Sequence, residues 1–264
     1  MNLPTVRLLG LMSVMCGIAH AALPATGFYP YPGANLADIR KVILAESMPD
    51  SKELTEAWRL FHEIQGCWMP GRAQPSDKII AQLDSLRGDL EQQPKPHWLI
   101  DTLQSPKTER ARLAGKIGSP LFEKQKATAD YQAQKALAIV YLAEHELDRP
   151  GAANRAGAYL TAMTLSHPWD WEAHALYSRL LIDSKMPQAG LSAAIFGLFN
   201  NPAPSLEDLK YFAFVGATAA KGNWAEIQAA IRQAATDPKI AEQAIQESAP
   251  LYSDKTEVTI VPPK

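Results

Sequence analysis

The chain has 264 residues, of which 47% are hydrophobic and 20% are charged, and its formal net charge is −2. This composition excludes an intrinsically disordered polymer, a collagen-like repeat and a multi-span membrane protein. The chain is long enough to bury a core without disulfide or metal staples. The near balance of acidic and basic residues gives no indication of a nucleic acid partner.

The first 21 residues have the pattern of a secretory signal peptide. Arg7 is followed by an apolar run from Leu8 to Ala19 and by the small-x-small sequence Ala19-His20-Ala21. The run is too short for a transmembrane helix, which needs roughly 20 apolar residues. We therefore expect cleavage near Ala21 and a periplasmic or secreted mature protein without a transmembrane span, where periplasm assumes a Gram-negative cell. The alternatives are an uncleaved anchor and a buried helix.

Cleavage at this point would leave Cys67 as the one cysteine of the mature chain. A single cysteine cannot form an intrachain disulfide in an oxidising compartment. We expect Cys67 to be buried and inert, and the alternative is a disulfide with a partner protein.

Both ends of the mature chain are predicted to be extended. Residues 22–34 contain three prolines, two glycines and three aromatic residues, a composition that disfavours a helix. Residues 251–264 include Val258, Ile260 and Val261, which favour an extended backbone. Each segment is either a flexible terminus or an extended segment that binds a partner protein.

Between these segments the predicted elements are helices. Asp50, with Glu53 three residues later, has the pattern of an N-terminal capping box, and Ser76 is placed to cap the next helix. No stretch before Glu257 shows a sustained alternation with a period of two. The sequence therefore predicts an all-α protein, with an N-terminal helical region over residues 35–134.

Residues 135–250 are predicted to form helical repeats. Three prolines recur at intervals of 34 and 36 residues, at Pro168, Pro202 and Pro238. They flank two pairs of predicted helices: Trp169–Asp183 with Pro187–Phe199, and Leu206–Ala220 with Trp224–Ala235. Small residues in one helix allow a neighbouring helix to approach closely: Ala189, Gly190, Ala193, Ala194 and Gly197.

Over about Lys135 to Pro238, this pattern resembles the tetratricopeptide repeat family. The resemblance implies a right-handed helical-repeat solenoid, and the alternatives are another right-handed α-solenoid and an irregular bundle. The family's Trp-Leu-Gly-Tyr pattern on the first helix is not present.

The resemblance also implies that partner-binding residues lie on the inner, first helix of each repeat. When the chain is aligned with the family's repeat in this way, five side chains are expected to point into a concave groove: Tyr141, His145, Glu172, Arg179 and Asp183. The Lys and Asn residues with which some members hold a peptide carboxylate are absent from these positions. We therefore expect a peptide or protein surface as the partner.

Motifs of common catalytic and cofactor sites were not found. The chain has no phosphate-binding loop, no G-x-S-x-G elbow and no H-E-x-x-H pair. His167, Asp170 and His174 are close in sequence, but Pro168 removes a fixed helical spacing among them. We expect these three to be ordinary surface and interface residues, with no metal and no cofactor.

One enzyme class shares a dipeptide with the chain. Glu46-Ser47 and Glu247-Ser248 match the Glu-Ser pair of lytic transglycosylases, but the Gly-Leu-Met-Gln stretch that follows this pair in the family is missing. Each pair is followed instead by one residue and a proline. We therefore expect that the protein is not an enzyme.

Charge is unevenly distributed along the chain. Between Lys107 and Lys126 there are six basic residues and two acidic ones. This stretch is either a solvated helix face or a contact for anionic lipid, lipopolysaccharide or an acidic partner. From Met186 to Leu206 there is no charge, which predicts either the core of the solenoid or a hydrophobic groove for a partner.

These features predict an adaptor or assembly factor that binds partner proteins in a bacterial cell-envelope complex, of the secretion, pilus or surface-structure biogenesis class. The first alternative is a glycan or small-ligand binding protein, which would use exposed aromatic residues among Trp68, Trp98, Trp169 and Trp171. The second alternative is a cell-wall-acting enzyme, which would place Glu46 or Glu247 in a cleft.

Overall fold

The computed structural model describes residues 36–46, 49–67, 74–95, 99, 129–167, 169–219 and 223–252. These ranges contain ten α-helices, one 3-10 helix and no strand, so the all-α prediction is confirmed for them. The predicted signal peptide, residues 22–34, the basic stretch 107–126 and residues 253–264 lie outside the described residues. No helix in the described ranges is long and apolar enough to cross a membrane.

The helices are numbered here in chain order. They are α1 (Leu36–Glu46), α2 (Lys52–Cys67), α3 (Asp77–Glu91), α4 (Ala129–Glu146), α5 (Ala152–Ser166), α6 (Trp171–Asp183), α7 (Pro187–Asn200), α8 (Leu206–Ala219), α9 (Trp224–Ala234) and α10 (Pro238–Ser248). The 3-10 helix Ala249–Tyr252 follows α10 and contains the first two residues of the predicted extended tail. The chain divides into two compact units, which are named here after their described helices: the four-helix unit (α2–α5) and the six-helix unit (α1 and α6–α10).

Helix α4 is the centre of the four-helix unit. Every residue from Tyr131 to Glu144 is buried, because α2, α3 and α5 all pack against this helix. A helix that is covered on several sides has no solvent-facing stripe, which explains why apolar residues occur all around it. The polar residues of this stretch must therefore find partners inside the protein.

Two helix starts in this unit are set by serine side chains. Ser51 Oγ accepts a hydrogen bond from the backbone N–H of Leu54 at 3.1 Å, so Ser51 caps α2 and the capping box predicted from Asp50 is wrong by one residue. Ser76 Oγ accepts from the N–H of Ile79, which confirms the predicted cap of α3. Each cap satisfies a backbone donor that the first turn of a helix leaves free.

In the six-helix unit, consecutive helices from α6 to α10 pack against each other, and α8 also packs against α10. The four helices predicted in the last third of the chain are present, with ends within two residues of those expected. The core includes the fully buried rings of Phe199 and Phe212. Helix α1 joins this unit through Arg40, whose Nη2 donates to the carbonyl oxygen of Ala234 at 2.6 Å, at the end of α9.

Close contact between α6 and α7 depends on small residues. A Cβ on Gly197 would lie 3.2 Å from the backbone nitrogen of Ala175, and one on Gly190 would lie 2.8 Å from Ile182 Cδ1. The predicted close approach is therefore present. The charge-free stretch supplies Leu191, Leu198 and Phe199 to the core, which favours the core interpretation over an open groove.

Candidate functional site

A cavity of about 220 Å³ lies among α3, α4 and α5 in the four-helix unit. Its rim consists of exposed polar residues at and after the end of α3: Glu91, Gln93 and Lys95. Its floor consists of buried residues: Leu90, Gln134, Leu137, Tyr141 and Tyr159. The cavity therefore has polar groups both at its entrance and at its base, and this combination is typical of a small-molecule site.

Gln134 and Gln132 are two residues apart on α4 but have different surroundings. Gln132 is 6% exposed, and both ends of its amide are used: Oε1 accepts from Ser51 N at 2.8 Å and Nε2 donates to Pro49 O at 2.9 Å. Gln134 is 2% exposed, and its Oε1 accepts no hydrogen bond from any described residue. Gln132 thus fastens the start of α2, whereas Gln134 brings an unsatisfied acceptor to the cavity wall.

Two tyrosines and one carboxylate form a connected group at the cavity. Tyr141 Oη donates to Glu91 Oε1 at 2.8 Å, and the rings of Tyr141 and Tyr159 meet edge to face with centroids 5.6 Å apart. Burial, followed by the hydrogen bond to Glu91, raises the pKa of the Tyr141 hydroxyl. Burial, followed by the negative charge of Glu91, raises the pKa of Tyr159. Both phenols therefore stay protonated at neutral pH and can donate hydrogen bonds.

A buried carboxylate lies one helical turn from Tyr141. Glu144 has no exposed side-chain surface and receives hydrogen bonds from three guanidinium groups: Arg87, Arg149 at 2.9 Å and Arg155 at 3.1 Å. The carbon of the Arg155 guanidinium also lies 5.0 Å from the centroid of the Tyr141 ring, a cation–π distance. The arginines hold Glu144 inside the unit, and Arg155 links this cluster to the cavity.

Asp84 on α3 extends the same network. Two nitrogens of Arg149 donate to its two carboxylate oxygens, one of them at 3.1 Å. This bidentate hydrogen bond is the main reason that the pKa of Asp84 is lowered, so the carboxylate is charged at neutral pH. The network therefore connects α3, α4 and the turn before α5.

The five predicted partner-binding residues fall in both units. Tyr141 and His145 lie on α4, where Tyr141 is buried in the cavity floor and His145 is half-buried. Glu172 and Arg179 are half-buried on α6, and Asp183 is exposed at the end of that helix. Their role in partner binding stays a prediction.

The candidate metal ligands are not surface residues, contrary to our expectation. His167, Asp170 and His174 are all buried. Asp170 caps α6 by accepting from Ala173 N at 3.0 Å, and His174 stacks on Phe196 with ring centroids 5.1 Å apart. The described part of the chain contains no group of three or more His, Cys, Asp or Glu residues that could hold a metal ion.

Glu247, one of the two carboxylates considered for catalysis, is exposed on α10. It accepts from Gln243 Nε2 at 2.8 Å and pairs with Lys210 Nζ at 3.0 Å, and these two contacts lower its pKa. A general acid needs a raised pKa, so the surroundings of Glu247 are unsuitable for that role. The side chains of Glu46 and Cys67 lie outside the described residues.

Of the four tryptophans considered for glycan binding, Trp68 and Trp98 also lie outside the described residues. Trp169 and Trp171 are half-buried, and the Trp169 ring meets His167 edge to face with centroids 5.5 Å apart. Neither ring is therefore fully open to solvent.

The sequence interpretation missed Gln134, Glu91, Tyr159 and the partners of Glu144. A signal for Gln134 and for the Glu144 network was present, because Gln134 and Glu144 are polar residues within the mostly apolar stretch 131–144. The residues that surround them come from separate helices, which no local pattern indicates. No family model, curated protein or solved structure matches the chain significantly. Function is therefore inferred from the residues of this chain.

Proposed function

We propose that the protein is a secreted helical-repeat adaptor or assembly factor that binds partner proteins in a bacterial cell-envelope complex. Its partner-binding surface would be the face of α6 that carries Glu172, Arg179 and Asp183. The secretion assignment rests on the predicted signal peptide in residues 1–21.

The order and spacing of helices in the six-helix unit support this proposal. Helices α6, α8 and α10 begin 35 and 32 residues apart. Ser178 Oγ and Tyr211 Oη are within hydrogen-bond distance at 3.2 Å, which connects α6 to α8, and α8 packs against α10. Contact between successive first helices is what a tetratricopeptide-like array requires, because their inner faces together line the groove.

The observation that carries the proposal is the polar face of α6. Glu172, Arg179 and Asp183 are spaced by seven and four residues, so they lie on one side of the helix. Residues between them, including Tyr177 and Leu181, are buried in the unit. This face therefore presents acidic and basic side chains in alternation, while the opposite face of α6 packs in the core of the unit. Such a charge pattern suits electrostatic recognition of a partner protein.

The test uses the full-length protein in its own envelope with a photo-crosslinking amino acid at position 183. A matched control places the same amino acid at Gln246, an exposed residue of α10 outside the predicted set. We expect one or two envelope proteins to be captured from position 183 in near-stoichiometric yield and not from position 246. The substitution Arg179→Glu should reduce this yield at least about tenfold if the charge contributes directly to recognition.

Recovery of the protein without a partner from position 183, or equal capture from both positions, would contradict the proposal. The secretion part is tested separately by cell fractionation and N-terminal sequencing. A mature N-terminus near residue 22 in the periplasm or medium is expected, and an intact leader in the cytoplasm would refute it.

A further inference from the structure

The cavity of the four-helix unit has a donor and acceptor arrangement that points to a ligand. Gln134 Oε1 is a buried acceptor with no donor among the described residues, while Gln132, two positions away, has partners at both ends of its amide. Buried polar atoms in proteins are nearly always hydrogen-bonded. A donor on a bound molecule would therefore satisfy this acceptor at the cavity wall.

The size of the cavity limits what can enter. Its volume of about 220 Å³ is below the range of about 300–1,000 Å³ that is typical of sites for drug-sized ligands. It corresponds to about seven water molecules at ~30 Å³ each. A single small molecule of the size of a monosaccharide fits this space, whereas a nucleotide or an oligomer does not.

The charges at the rim favour a neutral ligand. Glu91 supplies one negative charge and Lys95 one positive charge, and both residues are exposed at the same entrance. These opposite charges cancel, so the entrance has no net charge with which to attract either an anion or an organic cation. A hydroxyl group can donate to Glu91 and also accept from Lys95, because it is both a donor and an acceptor.

The remaining walls suit the carbon skeleton of such a molecule. Leu137 and the rings of Tyr141 and Tyr159 provide apolar surface between the polar groups. The Tyr141 hydroxyl is held by Glu91 at 2.8 Å, and its ring is held by Arg155 from the Glu144 cluster. Fixed side chains of this kind bind a small ligand with a low entropic cost, because they are already in place before the ligand arrives.

We propose that this cavity binds a small, neutral, polyhydroxylated molecule of the size of a monosaccharide. One hydroxyl would donate to Gln134 Oε1 at the base, and others would contact Glu91 and Lys95 at the rim. This site is independent of the adaptor function and of the polar face of α6.

Saturation-transfer NMR on the full mature chain provides the test. The polyol probes are D-glucose, D-galactose, N-acetyl-D-glucosamine and glycerol, and the comparison probes are glycine, ethylammonium and inorganic phosphate. We expect transfer to at least one polyol at millimolar concentration and little transfer to the comparison probes. The bound polyol should also raise the melting temperature of the protein, because it binds the folded state.

Variants locate the site. Gln134→Leu removes the buried acceptor and should weaken polyol binding at least about tenfold, the effect of losing one good hydrogen bond in a buried site. Lys95→Ala should also weaken binding, and it leaves folding intact because Lys95 is exposed. Asp89→Asn is the control, since Asp89 is an exposed acid on α3 outside the cavity, and it should bind like the unmodified chain.

The outcomes are distinct. Transfer to no polyol would overturn the proposal, and so would binding of glycine, ethylammonium or phosphate in preference to the polyols. An equal loss in Asp89→Asn would refute the location. If Gln134→Leu does not fold, as judged by circular dichroism, Lys95→Ala decides the result alone. A failed crosslinking experiment at position 183 has no bearing on this outcome, because it tests a different unit.

Discussion

The hydroxyl of Tyr252 lies 2.7 Å from the place that a Cβ on Gly216 would occupy. The same hydroxyl donates to the carbonyl oxygen of Ala213 at 2.7 Å, and the Tyr252 ring stacks on Trp224 with centroids 4.2 Å apart. The 3-10 helix after α10 is therefore fastened to α8 at a point where α8 has no side chain. Glycine at position 216 is needed for packing, although it lowers the intrinsic stability of the helix.

We expect Gly216→Ala to destabilise the protein by about 1–3 kcal/mol, because the added methyl would also lie 2.5 Å from Ile227 Cδ1. Gly88→Ala is the matched control. Gly88 is also inside a helix, but a Cβ there meets nothing within 4 Å, so this change should stabilise α3 by about 0.5–1 kcal/mol. Urea unfolding followed by circular dichroism measures both, and effects of the same sign would show that the packing argument is wrong.

Glu144→Gln should destabilise the four-helix unit by about 1.5–3 kcal/mol, because three partly exposed arginines lose their charged hydrogen bonds to the buried carboxylate. The control is Glu63→Gln. Glu63 is 45% exposed and pairs with Arg59 on the surface of α2, so its loss should cost less than about 1 kcal/mol. The free energy of unfolding of each variant is the measurement, and similar small effects at both positions would contradict a structural role for the cluster.

Ser51→Ala should cost about 1 kcal/mol, because Leu54 N loses the side-chain oxygen that accepts its hydrogen bond. Asp50→Ala at the neighbouring exposed position should change stability by less than about 0.5 kcal/mol. Comparing the unfolding midpoints of the two variants distinguishes the observed cap from the capping box suggested by the sequence. A larger effect at Asp50 would favour the sequence-based assignment.

Stability should fall in alkaline solution because of two half-buried tyrosines, Tyr211 and Tyr252. Burial is the main cause that raises the pKa of Tyr211 to about 12, from an ordinary value of 10.0, and burial also raises the pKa of Tyr252. The unfolded chain releases these phenolic protons near pH 10, whereas the folded chain keeps them. Their contribution to stability is therefore complete below pH 10 and, for Tyr211, is lost progressively between pH 10 and about 12.

The measurement for this effect is the urea midpoint at a series of pH values from 8 to 12. Tyr211→Phe should flatten the decline, because phenylalanine has no proton to lose. An unchanged slope in Tyr211→Phe would show that other groups, such as lysines, account for the alkaline loss of stability.

Local rules explain why the helices of the last third were predicted almost to the residue. Pro187 and Pro238 each stand at the first position of a helix, where the missing N–H is not needed. Apolar spacing and small residues then indicated which faces are buried. These signals act over a few residues, so they can be read without knowing the tertiary structure.

The candidate site could not be predicted in the same way. Glu144 obtains its charge partners from Arg87, Arg149 and Arg155, which lie up to 57 residues away in the chain. The sequence-based interpretation placed Tyr141 in a binding groove, and the structure places it in a cavity whose other walls come from α3 and α5. Spacing along one helix contains no information about which side chains another helix will bring to it.

Gln132 and Gln134 show where the limit lies. The sequence by itself determined that both belong to a helix, because helical periodicity and composition are local properties. The tertiary structure alone decided that one amide would hold the start of α2 while the other would face a cavity. Hydrogen bonds between distant residues depend on distances of about 3 Å, and only the packing of whole helices sets distances that small.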